Sequence, residues 1–240
     1  TYSVTVTTFE GCVGTSADVN VVVNSLPVVD LGVDTTICTG SVYEIDAENP
    51  GSSYSWSTFE ITQTIEVTTT GLYEVDVTDQ NGCIGSDAVA VTVSDILDPV
   101  IVANGPVTFC AGESVVLDAG PGEDYIWSTG ETTQTISVST SGIVDVLVLD
   151  EFGCGGTDEE TITVLQLPNA VVQPSGPIEL CSLDTVTLSA SNAFAAYNWN
   201  PGGQPTSAID VWETGSYSVT VTDPNNGCVA TSDPVEVIVN

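Results

Sequence analysis

The chain contains no lysine, no arginine and no histidine. Set against 33 aspartates and glutamates, this gives a formal net charge of −33 at pH 7, and no two side chains can form an ion pair. Nucleic acid binding needs cationic groups to neutralise phosphates, so no nucleic acid partner is expected. An anionic bilayer is repelled for the same reason, and no apolar run approaches the ~20 residues of a spanning helix, so no membrane contact by this segment is expected either. The missing residue types also remove the Ser-His-Asp and Cys-His pairs, the Schiff-base and P-loop lysines and the cationic oxyanion stabilisers. Paired carboxylates of the glycosidase kind remain in principle. The acids sit mostly at outward or loop positions, and those such as Glu123, Asp124 and the run Asp158, Glu159, Glu160 read as solvated loops, so the chain is not expected to be an enzyme. Two carboxylates about 10 Å apart in water repel by only about 0.4 kcal/mol, so charge spread in this way is tolerated as a solvated surface.

The sequence repeats itself. "YSWSTFEITQTIEV", Tyr54 to Val67, returns as "YIWSTGETTQTISV", Tyr125 to Val138. "GLYEVDVTDQNGC", Gly71 to Cys83, returns as "GIVDVLVLDEFGC", ending at Cys154, and as "GSYSVTVTDPNNGC", ending at Cys228. A period of about 70 residues is that of a small repeated domain. The copies divide into a partial unit at 1–27, the C-terminal half of a repeat, and whole units at 28–99, 100–168 and 169–240. Pro27, Pro99 and Pro168 recur at one phase in the short linkers, where proline stiffens a junction.

No stretch sustains a helical period, and apolar residues alternate with polar ones, which marks strands with one buried face. The copies agree on which residues turn inward: Tyr43, Ile45, Ala47 match Val115, Leu117, Ala119 and Val186, Leu188, Ala190. Aromatic pairs follow, Tyr54 with Trp56, Tyr125 with Trp127, Tyr197 with Trp199. Then come Ile65 with Val67, Ile136 with Val138 and Ile209 with Val211, and a long strand Tyr73, Val75, Val77 matched by Val144, Val146, Val148 and Tyr217, Val219, Val221. Six or seven such strands per unit predict an all-β chain, a tandem array of small antiparallel sandwiches of immunoglobulin-like topology.

Cysteine takes two fixed places in each unit: before the first core strand (Cys38, Cys110, Cys181) and after the long strand (Cys83, Cys154, Cys228). Cys12 belongs to the second class and is left without a partner. The core positions that a disulfide pins in antibody domains are held here by Ile45 and Val75. Bridges within units, Cys38 with Cys83, Cys110 with Cys154 and Cys181 with Cys228, are the expected arrangement. Each would close a loop of about 45 residues worth roughly 4 kcal/mol, comparable with the roughly 3 to 5 kcal/mol that so small a core supplies. If the two turns lie at opposite ends of the sandwich, bridges between neighbouring units, Cys38 with Cys154 for example, replace them. Either arrangement points to an oxidising, extracytoplasmic compartment.

No cofactor is expected except calcium, for which the candidate ligands are Asp79 and Asn81, Asp223 and Asn225, and the linker acids Asp30, Asp34, Asp95 and Asp98. Calcium wants six or more converging oxygens. The "TDQNG" and "TDPNNG" sequences are also hairpin turns, in which Asp and Asn bond their own backbone and Gly takes the positive-φ position, and that simpler reading is preferred.

With these motifs in place, "LPVVDLGVDTTICTGSVYEIDA" and "FCAGESVVLDAG", read together with the "WSTG" and "NGC" phrases, resemble the immunoglobulin-like and PKD-like repeats of giant cell-surface adhesins of Bacteroidetes-type bacteria, which carry gliding-motility-associated, type IX secretion sorting domains. The chain lacks the "FGDG" turn of PKD repeats, and "STGETT" is nearer the immunoglobulin-like variety. The resemblance implies an extracellular or cell-surface stalk, filament or adhesin whose partners are other repeats of the chain or other copies in a filament. It also makes Asp34-Thr35-Thr36 and Asp184-Thr185-Val186 candidate O-glycosylation motifs, at Thr35 and Thr185. A binding module is the alternative, in which end loops Glu48 to Ser53 and Ser191 to Ala196, with Phe194 and Trp212, contact surface glycans or protein. Residues 1–27 spell only a hairpin with a bare apolar face, an expectation best met if the sequence is a window on a longer polymer of repeats, and otherwise by a strand from another copy.

Overall fold

A computed structural model describes every residue except Asn192 and Ala195. Among the described residues every regular element is a β-strand. The chain divides into two compact units, Thr1–Leu97 with Leu149–Gly155, and Asp98–Val148 with Gly156–Asn240.

The first unit opens with the hairpin β1 (Thr5–Thr7) and β2 (Val13–Thr15), in which Val6 faces Gly14. Its sandwich contains β3 (Thr35–Cys38), β4 (Tyr43–Asp46), β5 (Ser53–Trp56), β6 (Thr64–Val67), β7 (Gly71–Thr78) and β8 (Ile84–Ser94). One sheet runs β3-β8-β7-β5 and the other pairs β4 with β6. The alternation sets which face is buried: Ile45, Trp56, Ile65, Val67, Tyr73, Val75, Val77, Val89 and Val91 form one core between the sheets.

The second unit holds two more sandwiches. The earlier comprises β9 (Val102–Ala103), β10 (Thr108–Cys110), β11 (Val115–Asp118), β12 (Asp124–Trp127), β13 (Thr135–Val138), β14 (Gly142–Leu149) and β15 (Gly155–Leu165), ordered β10-β15-β14-β12 and β13-β11-β9. The later comprises β16 (Val172–Gln173), β17 (Ile178–Leu180), β18 (Val186–Ala190), β19 (Ala196–Asn200), β20 (Ala208–Val211), β21 (Gly215–Thr222), β22 (Val229–Thr231) and β23 (Val235–Val239). Its sheets run β17-β23-β21-β19, with β22 also on β21, and β16-β18-β20. Where β8 and β15 are continuous strands of 11 residues, Pro234 separates β22 from β23, because proline has no amide hydrogen for the ladder. Beside the break, the Ser232 hydroxyl accepts the Val219 amide at 3.1 Å.

Buried polar groups are satisfied by the same device in each sandwich. The indole N–H of Trp56 donates to the Thr62 carbonyl, that of Trp127 to Thr133 and that of Trp199 to Thr206, at 2.8, 2.8 and 2.9 Å. The Tyr54 hydroxyl reaches the carbonyls of Glu48 and Asn49, and the Tyr125 hydroxyl those of Gly120 and Gly122. These contacts pin the loop that follows the first core strand.

One feature departs from the antiparallel expectation. In each sandwich the strand that leads to the cysteine ahead of the first core strand runs parallel to the last strand: β3 to β8, β10 to β15 and β17 to β23. In register, Cys38 stands beside Ser94 and Cys110 beside Leu165. Side-chain alternation is identical in parallel and antiparallel strands, so the sequence pattern carries no sign of this.

Candidate functional site

Two local structures present the cysteines. The first is the turn after the long strand. Asp79 Oδ1 accepts the amides of Asn81 and Cys83, both at 2.8 Å, and Asp150 Oδ1 accepts those of Phe152 and Cys154 at 2.9 and 2.7 Å. The third copy has one more residue in the turn, so Asp223 takes the Asn225 amide and Asn226 Oδ1 takes that of Cys228. In the hairpin, Thr8 Oγ1 accepts the Cys12 amide in the same role. The glycine before each cysteine, Gly82, Gly153 and Gly227, has φ of 80°, 80° and 74°, a left-handed conformation costly for any residue with a Cβ.

The second structure is the strand end ahead of the first core strand. The residue after each cysteine donates its amide to the last strand of the same sandwich: Thr39 to Ser94, Ala111 to Leu165, Ser182 to Asn240, at 2.8, 2.8 and 2.9 Å. The Thr39 and Ser182 hydroxyls reinforce the same carbonyls. Each strand-end cysteine is thereby fixed at the far end of the long sheet.

The bridges join one class to the other across successive copies. Cys38 bonds Cys154 and Cys110 bonds Cys228, with Cα–Cα distances of 5.3 and 5.7 Å. Pairing within a copy, Cys38 with Cys83, Cys110 with Cys154 and Cys181 with Cys228, is therefore corrected. The reason is the parallel edge. Because Cys38 lies beside Ser94, the whole of β8 separates it from Cys83, a span of roughly 35 Å for a strand of that length, whereas a disulfide needs Cα atoms within about 7 Å. Cys83 and Cys181, expected in bridges, are free thiols, as is Cys12.

Around the first bridge, the Ser94 hydroxyl donates to Asp150 Oδ2 at 2.8 Å. Around the second, Asn226 Nδ2 donates to the Gln166 carbonyl at 2.9 Å. Both contacts tie a cysteine turn to the end of the preceding copy's last strand, and neither Ser94 nor Gln166 recurs as a motif that sequence could reveal. Cys154 and Cys228 are fully buried. Burial is the largest single influence on Asp150 and pushes its pKa up, but the Ser94 hydroxyl and the amides of Cys154, Phe152 and Gly153 together bring it below the ordinary carboxylate value. Asp79 is also lowered, foremost by the Cys83 amide. Asp118 is lowered foremost by the Gln134 side-chain amide, at 2.9 Å.

Of the candidate calcium ligands, Asp79, Asp223 and Asp30 are engaged in local turns, and Asp34 and Asp95 in contacts between distant segments. Asp79 also accepts from Asn81 Nδ2 and Asp223 from Asn225 Nδ2. Asp30 caps Gly32, Asp34 accepts the Ala90 amide and Asp95 accepts the Thr39 hydroxyl. Among the described residues, no three of His, Cys, Asp or Glu gather as a metal cluster. The two Asp-Thr motifs are not equivalent in place: Thr35 is half-buried at the start of β3, ahead of its cysteine, and Thr185 is exposed in the turn that follows Cys181.

Of the two aromatic candidates, Phe194 is half-buried and meets Tyr197 edge-on at 5.9 Å, so it offers no open platform. The rest of that loop includes Asn192 and Ala195, which lie outside the described residues. The Glu48 to Ser53 loop is tied down by the Tyr54 hydroxyl and by Asn49 Nδ2 on the Val28 carbonyl. Trp212 is 60% exposed and borders an open pocket of about 210 Å³ with Gln204, Asp210, Glu213 and Tyr217.

No protein-family model matches the chain, and no curated protein sequence does. Among solved structures it is similar to immunoglobulin domains 1–5 of Sidekick-1 (11% identity, 98% of this chain and 66% of that one, TM-score 0.35). It is also similar to extracellular domains 3–5 of Drosophila OTK (13% identity, 88% and 95%, TM-score 0.31) and to three N-terminal domains of the bacteriophage RB49 highly immunogenic outer capsid protein (16% identity, 85% and 95%, TM-score 0.33). The fold assignment rests on the strand order and register described above. Among the described residues, no helix is long and apolar enough to cross a membrane.

Proposed function

We propose that this chain is a non-catalytic structural region of an extracellular or cell-surface stalk, filament or adhesin, built from repeats at 28–99, 100–168 and 169–240 with a partial repeat at 1–27. The observation that carries this reading is the pairing of the strand-end cysteines of the first two whole copies, Cys38 and Cys110, with the turn cysteine of the copy that follows each. A bridge of this kind contributes little to one domain's core and much to the joint between successive domains. Disulfides also favour an oxidising compartment, and the lack of lysine and arginine leaves no trypsin site. The resemblance to repeats of Bacteroidetes-type surface adhesins supports the same location.

Small-angle scattering tests the reading. An oxidised stalk gives a rod in which each repeat adds about 30 to 40 Å, from strands at about 3.4 Å per residue plus end loops. A compact particle with a radius of gyration near 18 Å, the value for one domain of this length, would overturn it.

A second reading has one observation of its own, the exposed Trp212 beside Asp210, Glu213 and Gln204. An indole face with flanking carboxylates and an amide suits a sugar ring, whose apolar face stacks while its hydroxyls donate. Glycan-array binding that Trp212→Ala abolishes would support recognition; an array without reproducible signal removes it.

A further inference from the structure

The strand end at Cys181 has the same construction as the two strand ends that carry bridges. Its cysteine directly follows the parallel edge strand β17, and the Ser182 amide and hydroxyl grip the Asn240 carbonyl as Thr39 grips Ser94. Cys38 and Cys110, in that setting, each hold a buried turn cysteine of the following copy. Cys181 holds none and is exposed.

A second observation marks this end as a surface made to be covered. Two residues beyond Cys38 and Cys110 stand Gly40 and Gly112, at φ of 88° and 95°. The third copy has Leu183 there, at φ 76° and 100% exposed. A leucine in the left-handed region is uncommon, and a wholly bare leucine beside a thiol adds apolar surface where the other copies have none. It suits a partner that brings apolar surface of its own, as the turn of the second copy does with Phe152, 52% exposed two residues before Cys154.

We infer that the end formed by Cys181, Ser182 and Leu183 is a docking site for one further immunoglobulin-like repeat, which it takes covalently through that repeat's turn cysteine. The inference rests on the stalk reading and extends it, since it makes the joint a rule of the array and gives growth of the array a direction. The bond forms by exchange with a disulfide oxidant such as glutathione disulfide. The Cys181 thiolate attacks one sulfur and releases a glutathione thiolate, and the partner thiolate then attacks the mixed disulfide at Cys181 Sγ and releases the second. Two thiols are oxidised, one glutathione disulfide is reduced to two glutathiones, and the two protons that the cysteine thiols give up end on the two glutathione thiolates, with none released on balance.

The test is the whole chain carrying a second copy of residues 169–240 directly after Asn240, folded in a glutathione redox buffer, alkylated and mapped with pepsin. The expected result is a peptide linking Cys181 to the turn cysteine of the added copy, with Cys181 alkylation reduced to a trace. Serine in place of that added cysteine should restore full alkylation. Cys38–Cys154 and Cys110–Cys228 serve as internal controls of folding. If both are formed and Cys181 is still alkylated, or carries only glutathione, the inference is overturned. A scattering rod from the parent chain would in that case leave the stalk reading standing, so the two failures are told apart.

Discussion

At the scale of single residues, the turn aspartates couple stability to pH. Asp79, Asp118 and Asp150 all have carboxyls lowered below their ordinary value of 3.8. A depressed carboxyl stabilises the fold above its unfolded pKa and loses that contribution as pH falls through the folded value, so the loss is expected below about pH 4. Burial is the largest influence on the hydroxyls of Tyr54 and Tyr217 and raises both, helped by the charges of Asp46 and Glu213. A raised group contributes below its unfolded pKa of about 10 and is lost as pH rises further. With no histidine in the chain, thermal midpoints should be flat between about pH 5 and 8 in 0.15 M salt and fall at both ends. The triple variant Asp79→Asn, Asp118→Asn, Asp150→Asn should start from a lower midpoint and show a shallower acid limb; an unchanged acid limb would refute the assignment. Trp127→Phe tests the repeated indole bond. It removes the donor to the Thr133 carbonyl and part of a ring that is 2% exposed, and a loss of about 1 to 3 kcal/mol is expected by urea titration.

At the scale of elements, the strands and their buried faces were legible because alternation alone decides which residues turn inward. Ile45, Trp127, Val146 and Val219, chosen from alternation and from agreement among the copies, are all buried. Strand direction was not legible, since a parallel edge leaves the alternation of β3 or β10 unchanged, and the cysteine pairing went with it. The placement of Phe194 depends on an edge contact to Tyr197 and on the Tyr197 hydroxyl accepting its amide, both of which are set by loop path rather than by pattern. The turn at Asp79 was legible in full, because Asp, Asn and Gly at those spacings name their own hydrogen bonds. A different kind of constraint acts at Gly85 in β8, where a Cβ would overlap the Pro27 carbonyl. Gly85→Ala should therefore displace the segment that leads into the first sandwich and destabilise it by about 1 to 3 kcal/mol, while the second unit keeps its midpoint. Calorimetry resolving two transitions would check this, and a shift of the second unit instead would contradict it.

At the scale of the whole molecule, the consequence of the two bridges lies in how they overlap. The loop closed by Cys38 and Cys154 and the loop closed by Cys110 and Cys228 share the segment from Cys110 to Cys154. A chain pulled from its ends with every domain unfolded then runs taut from Thr1 to Cys38, crosses to Cys154, returns to Cys110 and crosses to Cys228. Only the shared segment and the two ends lie in that path, and at about 3.5 Å per residue the oxidised chain reaches roughly two-fifths of the reduced contour. Single-molecule extension should show this limit directly, with reduction releasing the remainder. Cys38→Ser leaves only the second bridge, so its oxidised chain should reach about half of the full contour, longer than the parent and still shorter than the reduced form. Bridges confined within single copies would have left every linker in the path, and Cys38→Ser would then release only the loop of one copy. Equal extension before and after reduction would mean that the bridges do not carry load at all, and the covalent joint between successive repeats would lose its mechanical role.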